Sequence, residues 1–277
     1  MSIVIGIDAG ISSTKIIGID SGKRIKSPMS VTGSDALSSI HGALGKYIYE
    51  NNIALEEIEQ IMITGVGAKG LQSDLFNCPT THVDEFRANG LGARFDSGLD
   101  HMIVVSMGTG TSFVRVDGDD IKHIGGIAMG GGTLMGLSHL LLKTTSIYHV
   151  NEMAGDGDIS HCNLRMIDVC DEVIDGLDMY TTASLFGDAH QSMPTDNDIA
   201  AGLVRMVLET IGSCAVMSQS NGGFKDFVLI GKLTLLSACN EVFTELEDLY
   251  HVHFHMPKYA LYCTALGAAL SYKYENE

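Results

Sequence analysis

Basic residues are scarce in this chain of 277 residues, which holds 17 lysines and arginines against 34 aspartates and glutamates. A protein binds a phosphate backbone mainly by neutralising it with Lys and Arg side chains, so the formal net charge of −17 opposes such binding. An anionic lipid surface is disfavoured for the same electrostatic reason. We therefore expect neither nucleic acid nor a membrane among the partners of this protein.

Paired cysteines and a P-loop are also lacking. The six cysteines are scattered without a CxxC spacing, and the chain opens directly into a strand-like apolar run instead of a signal peptide. Both features predict a cytoplasmic protein with reduced thiols. No GxxxxGK[ST] sequence is present, which excludes a P-loop kinase.

The longest stretch without a formally charged residue, 124–142, has the length of a membrane-spanning helix. It contains six glycines, however, and three of them are consecutive at 130–132. Because glycine opposes a continuous helix, we interpret this stretch as a loop that leads into a helix.

Apolar runs and turn residues predict the elements of the first third of the chain. Strands are expected at 2–8 and 14–19, followed by a third strand near Ile25 and a helix capped by Ser34 and Asp35. A further strand at 60–64 precedes a short strand after Pro79, which leads to Asp84 and Glu85 at the start of another helix.

The same pattern begins again near residue 101. An apolar strand at 102–107 is followed by a glycine turn, a second strand at 113–116 and an acidic hairpin turn at 117–119. A last strand is expected at 227–230 and a closing helix from about Tyr262. Two units of strand, glycine turn and strand predict two similar lobes, 1–98 and 99–277, with space for a nucleotide between them.

Three glycine-rich segments could bind phosphate groups. The first, GIDAGISSTK at 6–15, offers backbone N–H groups in a turn, the carboxylate of Asp8 for the water shell of Mg²⁺, and the ammonium group of Lys15 for phosphate oxygens. An ordinary hairpin with a solvated aspartate is the alternative interpretation.

The second segment is SMGTGTS at 106–112, a polar turn directly after an apolar strand. The third is GGIAMGGGTLMGL at 125–137, which places three glycines and Thr133 before an apolar helix. Free N–H groups at that helix start could meet an anion, or the missing side chains could allow a nucleotide to pack closely.

Together with four further segments, these motifs resemble the bacterial type II pantothenate kinases. The matching segments follow one another in the order of that family: GIDAG at 6–10, TGVGA at 64–68, DEF at 84–86, GTGTS at 108–112, GGIAMGGGTLMGL at 125–137, TTASLFG at 181–187 and ALGAAL at 265–270. The resemblance implies an α/β fold with two lobes of the acetate-kinase and actin-like (ribonuclease H-like) architecture. It also implies a homodimer that uses ATP and Mg²⁺ to phosphorylate pantothenate.

The resemblance further implies roles for individual residues. Glu85 falls on the catalytic base of the family, and Ser112 and His123 fall on positions that contact the substrate. The implied nucleotide-binding residues are Asp8, which also holds Mg²⁺ through water, Ala9, Gly10, Ile11, Ser12, Ser13, Thr14, Lys15, Thr109, Gly131, Gly132, Thr133, Leu134 and Met135.

Three positions depart from the family pattern and leave alternatives open. Ile11 stands in place of a glycine, His123 in place of a basic residue that is usually Arg, and 231–233 reads Gly-Lys-Leu where the family has a serine-rich turn. A kinase for another small hydroxylated substrate therefore remains possible, as does an ATP-binding protein without catalytic activity.

Two other classes would share this fold. A sugar kinase of the repressor-related family should show an ExGH motif and a zinc site of clustered Cys and His, and neither is present. An activator of 2-hydroxyacyl-CoA dehydratases needs cysteines for a bridging iron–sulfur cluster, and no cysteine here has a suitable glycine-rich context.

The residue types alone allow two interpretations of Asp84 and Glu85. A carboxylate can take the proton of an acceptor hydroxyl during phosphoryl transfer, and two close carboxylates raise the pKa of one of them. Alternatively, Asp84 caps the following helix and Glu85 is favoured in its first turn by the helix dipole.

Overall fold

The computed structural model describes residues 2–21, 25–33, 35–172, 178–219 and 223–274. Its first sheet has five strands: β1 (Ile3–Ala9), β2 (Thr14–Asp20), β3 (Met29–Val31), β4 (Ile58–Thr64) and β5 (Thr80–His82). They are ordered β3-β2-β1-β4-β5. The pairs β1–β2 and β2–β3 are antiparallel, whereas β1–β4 and β4–β5 are parallel.

The second sheet repeats this arrangement. Its strands are β6 (His101–Met107), β7 (Thr111–Asp117), β8 (Asp120–Ile127), β11 (Asp226–Gly231) and β12 (His253–His255). The order β12-β11-β6-β7-β8 again joins two antiparallel pairs to two parallel ones. A separate pair is formed by β9 (Leu164–Arg165) and β10 (Thr182–Ser184). The predicted repeat of strand, turn and strand therefore corresponds to two sheets of the same topology.

Helices cover both faces of the two sheets. They are α1 (Ala36–Glu50), α2 (Glu85–Ser97), α3 (Gly131–Leu142), α4 (Ile147–Gly155), α5 (Met166–Val169), α6 (Ala189–Ser192), α7 (Asp196–Met217), α8 (Cys239–Tyr250) and α9 (Cys263–Tyr274). Alternate residues of a strand point to opposite faces. In β1 this places Ile3, Ile5 and Ile7 in the core under α1, while Val4 belongs to the core on the side of α9.

The helices α2 and α9 lie between the two sheets. Helix α9 packs on β1, β2 and β4 of the first sheet, and α2 contacts β6, β7 and β8 of the second. Helices α3, α7 and α8 cover the outer face of the second sheet. The last helix of the chain thus packs on the sheet formed by the first residues, and the division at residue 98 stays a prediction.

The α2–α9 contact is close because glycines occupy the crossing. A side chain at Gly267 of α9 would overlap the backbone carbonyl of Ala88 in α2, and one at Gly92 would overlap the carbonyl of Cys263. The two backbones can approach this closely only because these positions lack a Cβ atom.

Two predicted features differ in detail from the structure. The third strand forms at Met29–Val31, after Pro28, and Ile25 makes only an isolated bridge to Ile19. Pro28 has no backbone N–H to donate, so the strand begins beyond it. Asp35 caps α1 as expected by accepting from the N–H of Ser38 at 2.7 Å, whereas Ser34 lies outside the described residues.

The uncharged stretch 124–142 contains the end of a strand in addition to the predicted loop and helix. Its first residues complete β8, residues 128–130 form the loop, and α3 follows. Among the described helices, α7 and not α3 is long and apolar enough to cross a membrane. In its most apolar window 61% is buried within the protein, as expected for a core helix.

We predict that Gly267→Ala destabilises the protein by about 1–3 kcal/mol or more, because the new methyl group must push α2 away from α9. Gly42→Ala is the matched control: Gly42 lies in α1, and a Cβ atom there meets no other atom. That substitution should stabilise the protein by up to about 1 kcal/mol through helix propensity. Urea denaturation measures both changes, and equal stabilities of the two variants would contradict the close crossing.

Candidate functional site

The hairpin turns after β1 and β6 line a single cavity of about 940 Å³. The first turn contributes residues 10–13 and the second contributes residues 108–112. The start of α2, the first residues of α3 and the segment after β11 complete its wall. The cavity therefore lies where the central strands of the two sheets end.

Asp8 and Lys15 form an ion pair at the first turn. The register of β1 and β2 places them directly opposite each other, and Nζ of Lys15 donates to Oδ2 of Asp8 at 2.9 Å. Only 10% of the Asp8 side chain and 15% of the Lys15 side chain are exposed. A desolvated carboxylate needs such a partner, so the pair stabilises Asp8 while keeping both charges at the edge of the cavity.

The second turn is held by the start of α3. The N–H of Gly131 donates to the carbonyl of Gly108 at 2.8 Å, and the N–H of Gly132 donates to the carbonyl of Thr109 at 2.8 Å. The prediction that these two helix-start groups are free for an anion is therefore wrong, because each already has a backbone acceptor. Gly131 and Gly132 nevertheless line the cavity, which favours the alternative of close packing against a ligand.

Two further contacts fix the same two segments together. The hydroxyl of Thr111 donates to the carbonyl of Met129 at 2.8 Å. A side chain at Gly130 would lie 2.7 Å from the carbonyl oxygen of Thr109, so a larger residue there would force the turn and the helix apart. The second and third glycine segments thus form one rigid unit.

Glu85 is the first residue of α2 and lines the cavity. The side chain of Asp84 caps the same helix by accepting from the N–H of Arg87 at 2.8 Å. Both sequence-based interpretations are thus compatible, since Asp84 caps the helix and Glu85 occupies the first turn while it faces the cavity.

The surroundings of Glu85 disfavour its charged form. Burial raises the pKa of this carboxyl above its ordinary value, and the negative charge of Asp8 raises the pKa further. Lys15 lowers the pKa, and Asp84 raises it by a smaller amount. Such a carboxylate holds a proton more readily than an exposed one, which is a property of groups that accept protons in reactions.

An aromatic stack stands beside Glu85. The rings of Phe86 and His123 lie parallel, with centroids 4.0 Å apart and an interplanar angle of 17°. Both residues line the cavity, one from α2 and the other from β8. The stack joins the two sides of the cavity next to the carboxyl group.

Most residues predicted for the site line the cavity: Asp8, Gly10, Ile11, Ser12, Ser13, Lys15, Glu85, Thr109, Ser112, His123, Gly131, Gly132 and Met135. The other four predicted residues are absent from its wall, and their roles stay predictions. Ala9 and Thr14 are buried and pair with each other across the hairpin. Leu134 is fully buried in the core of the second sheet, and the hydroxyl of Thr133 donates to the carbonyl of Ala128 at 3.0 Å.

Several residues that line the cavity do not belong to any motif from which the site was predicted. Residues 145–148 at the start of α4, together with Lys232, Leu261 and Thr264, reach the cavity from distant parts of the chain. Lys232 brings a second ammonium group besides that of Lys15. Of these residues, only Lys232 had a signal in the sequence, because it stands in the turn that departs from the family pattern.

The carboxylates of the cavity fit a metal ion that is shared with a ligand. In the part of the chain that the structure describes, no three His, Cys, Asp or Glu side chains are grouped to hold a metal by themselves. Mg²⁺ usually binds to one or two carboxylates and to the phosphate groups of a ligand. Asp8, a largely buried carboxylate at the first turn, fits this requirement.

Comparison with known protein families assigns more than half of the chain. Residues 97–244 match the family model described as Fumble. A type II pantothenate kinase of Bacillus thuringiensis subsp. konkukian is 28% identical over 250 residues, covering 87% of this chain and 86% of that protein. One from Staphylococcus epidermidis is 29% identical over 184 residues, covering 64% of this chain and 69% of that protein. The resemblance predicted from the motifs is confirmed.

Solved structures with the same fold share little sequence. Component A of the (R)-2-hydroxyglutaryl-CoA dehydratase of Acidaminococcus fermentans has a TM-score of 0.72 at 19% identity and covers 100% of both chains. A ROK family glucokinase of Streptomyces griseus, in complex with glucose and AMPPNP, has a TM-score of 0.61 at 13% identity and covers 98% of this chain and 99% of its own. The predicted two-lobed α/β architecture is confirmed, and at such identities the likeness concerns the fold alone.

We expect the pKa of Glu85 to lie above the ordinary glutamate value of about 4.3 and to fall in Asp84→Asn. Asparagine still caps α2, so this variant removes one negative charge without disturbing the helix start. Lys15→Met should change the pKa of Glu85 in the opposite direction, because it removes the charge that lowers it. Carboxyl-carbon NMR titration measures each pKa, and a wild-type pKa at or below about 4.3 would contradict the buried environment.

Proposed function

This chain belongs to the Fumble family, and we propose that it is an ATP-dependent kinase that phosphorylates pantothenate to 4′-phosphopantothenate, the first step of coenzyme A biosynthesis. The observation that carries the proposal is that two glycine turns and the carboxyl group of Glu85 line one cavity. Phosphoryl transfer requires this combination: a held phosphate chain, an aligned acceptor and a group that takes the hydroxyl proton.

The nucleotide would lie between the two hairpin turns. The ammonium group of Lys15 donates to Oδ2 of Asp8 at 2.9 Å, and a phosphate oxygen can replace that carboxylate as its partner. Asp8 would then hold Mg²⁺, which neutralises charge on the phosphates when bound. Gly131, Gly132 and Met135 leave room for the rest of the nucleotide against the start of α3.

The acceptor would lie beside Glu85. The raised pKa of this carboxyl makes it a more effective proton acceptor than an exposed glutamate. The stack of Phe86 and His123 forms the adjacent wall, and Ser112 lines the cavity on the same sheet as His123. Pantothenate as the acceptor is supported by the relatives named type II pantothenate kinases.

A kinase for another small hydroxylated molecule is the second candidate, and His123 favours it. An imidazole stacked on Phe86 occupies the position where the family usually places an extended basic side chain. It offers less charge to a carboxylate of the substrate than a guanidinium group would. An ATP-binding protein without catalytic activity is the third possibility.

An activator of dehydratases is less well supported, although the activator of the 2-hydroxyisocaproyl-CoA dehydratase from Clostridium difficile shares the fold. The buried thiols are poor cluster ligands, because burial raises the pKa of Cys162 to about 11 and that of Cys239 to about 12. Cytoplasmic location, predicted from the scattered cysteines, and a homodimer, implied by the sequence resemblance, complete the proposal.

A coupled assay of ADP release tests the function directly. With MgATP we expect turnover when pantothenate is added, and little turnover without an acceptor. Pantoate, glycerol and glucose serve as comparison acceptors. Turnover with one of these and not with pantothenate would favour the second candidate, whereas MgATP binding without turnover with any of the acceptors would favour the third.

Glu85→Gln separates a catalytic from a structural role of Glu85. Turnover should fall by about 10²–10⁴-fold if Glu85 takes the hydroxyl proton, with little change in ATP affinity. Folding raises the pKa of Glu85, so the ionised group opposes folding above that pKa, and glutamine should not lower the melting temperature at neutral pH.

The control is Glu241→Gln, which changes an exposed glutamate in the first turn of α8, away from the cavity. It should cost only about 0.3–1 kcal/mol of stability and leave turnover unchanged. If Glu85→Gln behaves like this control, Glu85 merely supports the helix start.

A further inference from the structure

A hydrogen-bonded pair, Asn89 and Thr264, lies at the crossing of α2 and α9 below the cavity. Asn89 is fully buried in α2, and Oδ1 of Asn89 accepts from the hydroxyl of Thr264 at 2.7 Å. Thr264 is half-buried in the first turn of α9 and lines the cavity together with Glu85. The pair thus connects the helix crossing to the site.

The position of this pair relative to Glu85 follows from helix geometry. Residues four apart on a helix lie on the same face about 6 Å apart along its axis, so Asn89 is one turn from Glu85. Thr264 lies beside this turn of α2 because the two helix backbones are in contact at Gly92 and at Gly267.

The polar atoms of the pair are incompletely satisfied. Nδ2 of Asn89 is buried and has no hydrogen-bond partner among the described residues. An unpaired buried donor is destabilising, and groups of this kind often have a functional reason. A leucine would fill a similar space without burying an unpaired N–H donor. We therefore explain the amide of Asn89 by its hydrogen bond with Thr264.

The hydrogen bond sets what Thr264 can offer to a ligand. A hydroxyl has one proton to donate and two lone pairs that accept. Because Thr264 donates its proton to Asn89, its oxygen can only accept a hydrogen bond from a molecule in the cavity. Asn89 therefore turns a hydroxyl that could rotate into an oriented acceptor in the cavity that Glu85 also lines.

We propose that Oγ1 of Thr264 accepts a hydrogen bond from a second O–H or N–H group of the acceptor substrate, and that Asn89 is the positioning residue that orients it. The proposal rests on the kinase function above and specifies its substrate class. The acceptor carries one hydroxyl that gives its proton to Glu85 and another donor group near it, as in a polyol or a hydroxylated amide. Thr264 discriminates against molecules that lack the second donor.

Thr264→Val and Thr264→Ser test this contact as a matched pair. Valine keeps the shape and removes the hydroxyl, so the KM for the acceptor should rise about 3- to 10-fold, the ratio expected for one hydrogen bond. The KM for ATP should stay unchanged. Serine keeps the hydroxyl and should behave like the wild type. Melting temperatures establish that each variant is folded.

An acceptor analogue whose second donor is methylated completes the test. For the wild-type enzyme, the KM of this analogue should exceed the KM of the unmodified acceptor by about 3- to 10-fold. For Thr264→Val, the two KM values should be equal, because the contact is already lost. Asn89→Ala should likewise raise the KM of the acceptor in the wild-type background and have no added effect beside Thr264→Val.

The outcomes separate this inference from the proposed function. If wild-type protein turns over an acceptor and Thr264→Val has the same KM as Thr264→Ser, the contact does not exist while the kinase function stands. Additive effects of Asn89→Ala and Thr264→Val would overturn the positioning role of Asn89. Absence of turnover by the wild type with every acceptor would overturn the kinase function and, with it, the role given to Thr264.

Discussion

The crossing of α2 and α9 is the contact on which the rest of the structure depends. Helix α9 packs mainly on the first sheet and α2 mainly on the second, so the distance between their axes influences the distance between the two sheets. Gly92 and Gly267 keep that distance short by allowing backbone contact. The cavity between the hairpin turns, with Glu85 at the start of one helix and Thr264 at the start of the other, follows from this single contact.

The two carboxyl groups that line the cavity differ in their surroundings from the acidic residues on the protein surface. The chain as a whole is strongly acidic, yet Asp8 is neutralised by Lys15, and burial favours the protonated form of Glu85. A ligand with phosphate groups would therefore meet one carboxylate that is paired with Lys15 and another whose pKa is raised by burial. The ionised form of Glu85 opposes folding because its pKa is raised, and carboxyl groups with such shifted pKa values are concentrated at functional sites.

The glycine segments divide their tasks in a way that their composition does not reveal. All three are rich in glycine, but the backbone N–H groups of Gly131 and Gly132 donate to carbonyls of the turn at 108–110 and are not free to bind an anion. The helix start thereby gives rigidity to the second hairpin turn. A rigid turn keeps its remaining N–H groups in place, which lowers the ordering cost when a ligand binds.

The local features of this protein can be predicted from short stretches of its sequence. Strand, glycine turn and strand occur twice, and the apolar runs predicted the central strands because a buried strand needs continuous apolar residues. The residue types predict a helix start at Asp84 and Glu85 and a nucleotide site between the glycine turns that follow the first strands of the two lobes. Each of these features depends on residues that are neighbours in the chain.

Contacts between residues that are distant in the chain depend on how the helices and sheets pack. The packing of α9 on the first sheet, the pairing of Thr264 with Asn89, and the arrival of Lys232 and residues 145–148 at the cavity have no local pattern. Packing also decides that Leu134 lies in the core and that the hydroxyl of Thr133 donates to the carbonyl of Ala128, although neighbouring residues of the same motif line the cavity. Contacts between residues far apart in sequence arise from the packing of whole helices and sheets, which short sequence motifs do not encode.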